Sequence, residues 1–198
     1  MKTNLVLMRH GQSMANAGIP INHEEQNILT EHGIMEAMRL AKTFRAVFPD
    51  LQFDHAFSSP LHRALQTNLN FLSVINNKAI DTQIVPAFTE RSLGFNGFMK
   101  IKDMIAKFGQ DELDRWERDV FAIPGDARGE ALMAVYDRVV DAYEYLVMPR
   151  LRAGETVLIT AHYYVLKVLQ SHIQYGNVYQ APLYDPRNAL PVAFQIPV

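Results

Sequence analysis

The sequence contains no cysteine. Disulfides, thiolate metal sites and cysteine nucleophiles are therefore excluded, and the usage fits a reducing compartment. Long hydrophobic runs are missing too. The apolar run near the N-terminus, Leu5 to Met8, is far short of the roughly 7–15 residues of a signal-peptide core. No stretch approaches the ~18 uninterrupted apolar residues of a membrane span. The expectation is a soluble, cytoplasmic protein with no membrane partner. Charge of one sign is also lacking: 19 Lys and Arg stand against 21 Asp and Glu, a formal net charge of -2. That argues against a nucleic-acid surface, which is usually strongly basic. No linker, internal repeat or low-complexity segment divides the 198 residues. One domain over 1–198 is expected, with a cap-like insertion over about 92–129.

What is present is a sequence of short apolar runs alternating with helical patterns. Hydrophobic residues make up 48% of the chain and charged ones 20%, enough for a sizeable core. Leu5 to Met8, Phe53 to Ser58, Ile84-Val85 and Thr156 to Thr160 read as strands, and Pro191 to Ile196 as an edge strand. A helix opens at Leu29-Thr30-Glu31-His32-Gly33, carries Ile34, Met35, Met38, Ala41 and Phe44 at helical spacing, and ends at Pro49-Asp50. A second opens at Ser58-Ser59-Pro60 and runs to about Ile75, with Leu61, Ala64/Leu65, Leu69 and Leu72 expected on one face. A turn follows at Asn76-Asn77. A third, from Gly129-Glu130 with a stripe from Leu132 to Val147, should stop at Pro149. A fourth spans about Tyr164 to Ile173. Strands alternating with helices predict an α/β fold: three layers, a mostly parallel sheet with helices on both faces. Residues 92–129, punctuated by glycine and holding the single Trp116, are the least regular part and would form the small cap.

Three polar clusters fall at predicted strand ends: Arg9-His10-Gly11, Glu90-Arg91 and Thr160-Ala161-His162. A fourth, His62-Arg63, sits in the first turn of the second helix. In a parallel sheet such ends share one edge, where ligands bind. The combination suits a phosphate. Arginine matches phosphate oxygens with a planar, permanently charged fork. A neutral imidazole can attack phosphorus and hold the group covalently. A glutamate whose pKa is raised can give and take the proton of the leaving oxygen. A lone strand-end histidine is more often structural; the flanking Arg9 and Gly11 are what single out His10. His23, His32, His55, His62 and His172 lack such context and read as solvated or satisfied in the core. Arg39, Arg45, Arg138, Arg150 and Arg152 read as solvated or helix-end charges.

These segments, in this order, resemble the histidine phosphatase superfamily, specifically its phosphoglycerate-mutase-like branch. Arg9-His10-Gly11 with Ser13 and Asn16 is similar to the family's phosphate loop. Leu29-Thr30-Glu31-His32-Gly33 resembles its helix entry, and Ser59-Pro60-Leu61-His62-Arg63-Ala64-Leu65-Gln66-Thr67 the segment carrying its second phosphate-binding arginine. Glu90-Arg91-Ser92-Leu93-Gly94 through Gly97 resembles the acid/base glutamate motif. Trp116-Glu117-Arg118, Gly129-Glu130 and the strand leading to His162 match further landmarks. The resemblance implies a fold like that of phosphoglycerate mutase and a two-step mechanism. His10 is the implied nucleophile, Arg9, Arg63 and His162 bind the phosphoryl oxygens, and Ser13 and Asn16 add neutral donors. Glu90 is the implied proton donor and acceptor, while Arg91 and Arg118 are further candidates for substrate binding. It implies no metal, and 2,3-bisphosphoglycerate as cofactor only for a mutase.

Departures from the pattern bear on the substrate. His162 is followed by Tyr163-Tyr164 where the family has glycine. Glu117-Arg118 stands where mutases have paired arginines, Leu93 replaces a tyrosine, and Ala131 replaces a serine. These changes weaken recognition of a second anionic group, so a phosphatase acting on a small phosphorylated metabolite is preferred. Two alternatives stay open: a 2,3-bisphosphoglycerate-dependent phosphoglycerate mutase, and a silent homologue binding a phospho-ligand or protein, with the two tyrosines crowding the pocket. On this reading Glu117→Arg strengthens binding of carboxylated phosphates. Oligomeric state is left open, a homodimer included.

Overall fold

The computed structural model describes residues 4–21, 23–75, 80–94, 99–125 and 128–196. The turn expected at Asn76-Asn77, and Gly97 of the glutamate motif, lie outside these residues. The strands are β1 (Leu5–Arg9), β2 (His55–Ser58), β3 (Thr82–Ile84), β4 (Val157–Ala161) and β5 (Pro191–Phe194). They form one sheet in the order β3-β2-β4-β1-β5. The first four are parallel, with Leu5 opposite Val157 and Ser58 opposite Thr160. Only β5, at an edge, runs antiparallel, pairing Leu5 with Phe194.

The unbroken apolar run of β1 follows from burial on both faces. Leu5 and Leu7 join Ile159 in one core, where α5 (Leu132–Ala142) and α7 (Tyr163–Tyr175) cover the sheet. Val6 and Met8 point the other way, into a core with Phe44, Phe53 and Phe71 under α1 (Glu31–Val47) and α2 (His62–Ile75). The expected α/β architecture, a mostly parallel sheet with helices on both faces, is the one observed. Helix α1 joins β1 to β2, with β4 lying between those strands. The carboxyl ends of β1, β4 and β2 therefore sit side by side, and so do Arg9-His10, His162 and Ser59.

Local details differ from the sequence expectations for identifiable reasons. On α2, Leu69 is 52% exposed, while Thr67 and Asn68 face the sheet. The polar pair is buried because it is satisfied: Asn68 donates through Nδ2 to Thr160 Oγ1 (3.0 Å) and accepts through Oδ1 from Thr82 Oγ1 (2.8 Å). Pro149 does not end the third helix. A π-helical stretch, Tyr143–Val147, precedes it, and α6 (Met148–Arg152) continues beyond. Proline sits near the start of that last segment, where its missing N–H is tolerated. Arg138 is not a solvated charge. It forks onto Glu130 (2.7 and 2.8 Å) and donates to the Ala87 carbonyl, stapling the start of α5 to the turn after β3. Glu90 is not at a strand end either. β3 stops at Ile84, and a 3-10 turn, Pro86–Phe88, carries the chain to it.

Between residues 99 and 125 two short helices pack together, α3 (Ile101–Phe108) and α4 (Gln110–Arg118), with Trp116 set edge-on against Phe108. Among the described residues no helix is long and apolar enough to cross a membrane.

Candidate active site

Thr30 caps α1 by accepting from the Gly33 N–H (3.0 Å). A Cβ at Gly33 would lie 2.1 Å from the Gln12 carbonyl oxygen, backbone against backbone. Glycine is required there because the first turn of α1 rests directly on the loop after β1. From the other side, the Gly11 N–H donates to Thr67 Oγ1 (3.0 Å), which donates in turn to the Arg63 carbonyl. The loop bearing His10 is thus clamped between α1 and α2.

His10 is 3% exposed. Its Nδ1 lies 2.8 Å from the Gly11 carbonyl, which can only accept, so Nδ1 carries the proton. Nε2 is left with its lone pair, facing the Nε–H of Arg63 at 3.2 Å. Burial, then the Arg63 and Arg9 charges, hold the His10 pKa well below its ordinary value, outweighing the bond to Gly11. The imidazole is neutral at pH 7, with its unprotonated nitrogen fixed in place.

His162, fully buried, lies with its ring centroid 5.1 Å from that of His10. Its Nε2 is 2.7 Å from Ser59 Oγ, while its Nδ1 has no protein partner. Burial and the neighbouring Arg63 depress its pKa strongly as well. Arg9 donates through Nη1 to the Pro186 carbonyl (3.0 Å), yet its buried Nε is also without a partner. Two unsatisfied polar groups beside His10 are what an anion would satisfy.

Glu90 is held by three backbone N–H groups. Oε1 accepts from Arg91 (2.9 Å) and Tyr164 (3.2 Å), and Oε2 from Tyr163 (3.0 Å). It therefore caps the N-terminus of α7, where His162 offers no side-chain cap. Burial raises its pKa above the usual carboxylate value, against those N–H groups and the charges of Arg63 and Arg9. A carboxyl group whose neutral form is favoured in this way can donate a proton and take one up again.

Arg9, His10, Ser13, Asn16, Arg63, Glu90 and Arg91 all line a cavity of about 890 Å³, whereas His162, fully buried, is not among its lining residues. Ser13 Oγ donates to Asn16 Oδ1 (3.2 Å), which also accepts from Asn188. The Arg91 guanidinium is engaged by the carbonyls of Glu130 (2.7 Å), Trp116 (2.9 Å) and Ala122 (3.1 Å), and it supports the 92–129 segment rather than presenting a free fork. Arg118 is not brought to the cavity. It pairs with Asp114 (3.0 Å) on the exposed side of α4. Nor does Glu117 face the cavity: it pairs with the buried Lys167 (2.9 Å) and accepts from the Tyr164 hydroxyl. The reading of Glu117 as an anion turned on the substrate is corrected accordingly.

Tyr163 and Tyr164 form a wall and leave the cavity open. The Arg9 guanidinium lies 5.1 Å from the Tyr163 ring centre, and that of Arg91 4.9 Å from the Tyr164 ring centre. Lys167 sits 4.6 Å from the Tyr163 ring centre on the inner side. Residues that the sequence reading passed over are Ser59, Thr67, Lys167 and Glu24, whose carboxylate pairs with Arg63. For Ser59 and Thr67 the signal was present, since both lie in the Arg63 segment. Among the described residues no cluster of His, Asp and Glu could hold a metal ion.

A sequence profile of the histidine phosphatase superfamily (branch 1) matches residues 5–189. The 2,3-bisphosphoglycerate-dependent phosphoglycerate mutase of Parvibaculum lavamentivorans is 30% identical over 196 residues, 99% of this chain and 91% of the relative. That of Xanthobacter autotrophicus is 34% identical, covering 83% of this chain and 78% of its own length. Among solved structures, a mycobacterial glucosyl-3-phosphoglycerate phosphatase complexed with VO3 superposes with a TM-score of 0.78 at 21% identity, covering 96% of this chain and 90% of its own. The alpha-ribazole phosphatase of Shigella flexneri gives 0.73 at 23% identity, over 96% of this chain and 89% of its own. With a neutral histidine after β1, two arginines and a second histidine around it, and a profile match over nearly its whole length, the chain belongs to the histidine phosphatase superfamily, branch 1.

Proposed function

We propose that this protein is a phosphatase that hydrolyses a small phosphomonoester through a phosphohistidine on His10. The observation that carries the reading is the state of His10: buried, neutral, with its proton held on Nδ1 and the Nε2 lone pair turned to the Arg63 Nε–H. In the first step Nε2 attacks phosphorus and the ester P–O bond breaks. The departing alkoxide takes the proton of Glu90. Arg9, Arg63 and His162 hold the equatorial oxygens, where charge is concentrated in the transition state. In the second step a water gives its proton back to Glu90 and attacks phosphorus. The P–N bond breaks, orthophosphate leaves, and His10 is restored.

A mutase is the second reading, favoured by the names of the curated relatives. A bisphosphate cofactor needs cations at both ends. Beyond Arg9 and Arg63, the described lining offers Arg91, whose donors are engaged by carbonyls, His23, and the carboxylates of Glu24 and Glu25. Two carboxylates and an already engaged guanidinium do not fit a second phosphoryl group. Metal-free incubation with p-nitrophenyl phosphate should release nitrophenol and give an acid-labile phosphoenzyme, both lost in His10→Ala. Turnover surviving that substitution refutes the nucleophile. Interconversion of 3- and 2-phosphoglycerate with catalytic bisphosphoglycerate, faster than hydrolysis, overturns the phosphatase in favour of the mutase.

A further inference from the structure

The loop between β1 and α1 ends in a 3-10 turn, Glu24–Gln26, that overhangs the phosphate site. Glu24 is partly exposed, but its Oε1 accepts from Nη1 of Arg63, whose side chain is 5% exposed. The same guanidinium donates through Nε to the nucleophilic nitrogen of His10. A phosphoryl group reaching His10 therefore meets an arginine already held by a carboxylate. The turn is tethered from two sides. Ala15 N–H donates to Asn27 Oδ1 (3.1 Å), and the Glu25 carbonyl lies 3.3 Å from His62 Nδ1. Asn27 itself is 1% exposed, lines the cavity, and keeps an unpartnered Nδ2.

We propose that Glu24 determines substrate specificity: it holds Arg63 until a phosphoryl dianion displaces it, and then faces the leaving group, selecting alcohols that carry a hydroxyl or ammonium group over those carrying a second anion. The inference rests on the phosphatase reading and names its substrate class. A dianion outcompetes a carboxylate for an arginine fork on charge and on the number of oxygens offered. Tethered through Asn27, the displaced carboxylate stays in the cavity wall with Glu25. Of the other described lining residues, Leu61, Leu93, Met99, Tyr163 and Tyr164 are uncharged, His23 adds an imidazole, and the Arg91 fork is already engaged by carbonyls. One carboxylate about 6 Å from a leaving-group charge, in a solvent-open cavity, changes binding by about three- to tenfold in either direction.

Three esters of small alcohols separate the outcomes: O-phosphoethanolamine, glycerol 3-phosphate and 3-phosphoglycerate. The wild type should turn over glycerol 3-phosphate with kcat/KM about three- to tenfold above 3-phosphoglycerate, and O-phosphoethanolamine about tenfold or more above it, the difference lying in KM. In Glu24→Gln those ratios should fall several-fold, and orthophosphate should inhibit more strongly because Arg63 is released. Glu25→Gln, with the same charge change but no bond to Arg63, should leave orthophosphate inhibition where it was. An unchanged ratio in Glu24→Gln, unchanged orthophosphate inhibition, or an equal effect of Glu25→Gln overturns the proposal. Calorimetric titration with orthophosphate keeps the two readings apart. If none of the esters is hydrolysed and orthophosphate still binds more tightly to Glu24→Gln, the phosphatase reading falls and the hold on Arg63 stands. If the esters are hydrolysed and neither variant shifts ratio or inhibition, the role of Glu24 falls alone.

Discussion

Removing one partner of the Glu117–Lys167 pair should be costly only from one side. Lys167 is 3% exposed on its side chain and Glu117 39%, with Nζ and Oε2 2.9 Å apart. Glu117→Gln leaves a buried ammonium without its counter-charge. Breaking a fully buried pair costs roughly 3–5 kcal/mol. Here the open side of Glu117 screens part of the attraction, and the Tyr163 and Tyr164 rings, 4.6 and 5.8 Å from Nζ, go on stabilising the cation. That contribution is about 1 kcal/mol, so about 2 kcal/mol is expected for the loss. Lys167→Met keeps the volume of the stem and leaves a carboxylate that water reaches and the Tyr164 hydroxyl still contacts. Its cost should stay below about 1 kcal/mol. The double variant should resemble Lys167→Met alone, because the buried charge is gone. Glu117→Arg, which sets a second cation against Lys167, should be the least stable, by about 3 kcal/mol or more, and should gain no affinity for 3-phosphoglycerate. Urea unfolding at pH 7 measures all four, and a melting shift of about 2–4 °C per kcal/mol at this chain length gives a second scale. If Lys167→Met costs more than Glu117→Gln, or the two effects simply add, the buried cation is not what ties α4 to α7.

Gly33→Ala should destabilise by about 3 kcal/mol through overpacking of backbone on backbone, read by urea unfolding, and lower activity as the His10 loop shifts. Ser59→Ala removes the contact of His162 Nε2; it should cost about 1–2 kcal/mol and slow phosphoenzyme formation, seen in rapid-quench traces. Glu90 must be protonated to release an alkyl alcohol, and its pKa is raised. Single-turnover phosphoenzyme formation from glycerol 3-phosphate should therefore fall as pH rises through that raised value, and Glu90→Gln should abolish the limb. Because the His10 pKa lies well below its ordinary value, no acid limb from its protonation is expected near pH 6.5.

Much of the fold was legible because burial leaves a plain mark on strands. Leu5 to Met8 and Val157 to Ile159 are apolar throughout because both faces are covered, and their ends place His10 and His162. Helix faces were less legible where polar residues are buried. Thr67 and Asn68 displace Leu69 from the expected face because their partners, Gly11 and Thr160, come from segments far away in sequence. The same distance hid the engagements of Arg91 and Arg138, whose carbonyl acceptors nothing local announces. Lys167 sits in an apolar helix pattern, and only the fold brings Glu117 to it. Glu90 was found by its motif, not by its assumed strand, since a 3-10 turn carries the chain there.

The three N–H groups around Glu90 make its charge visible from outside the reaction. Each catalytic cycle would neutralise and recharge the group that caps α7. The amide protons of Tyr163 and Tyr164 should then resonate downfield while the carboxylate is charged, and move upfield when it takes a proton. Two backbone resonances, followed in slow turnover or along a pH titration, would record the proton inventory of the site without any label on the substrate.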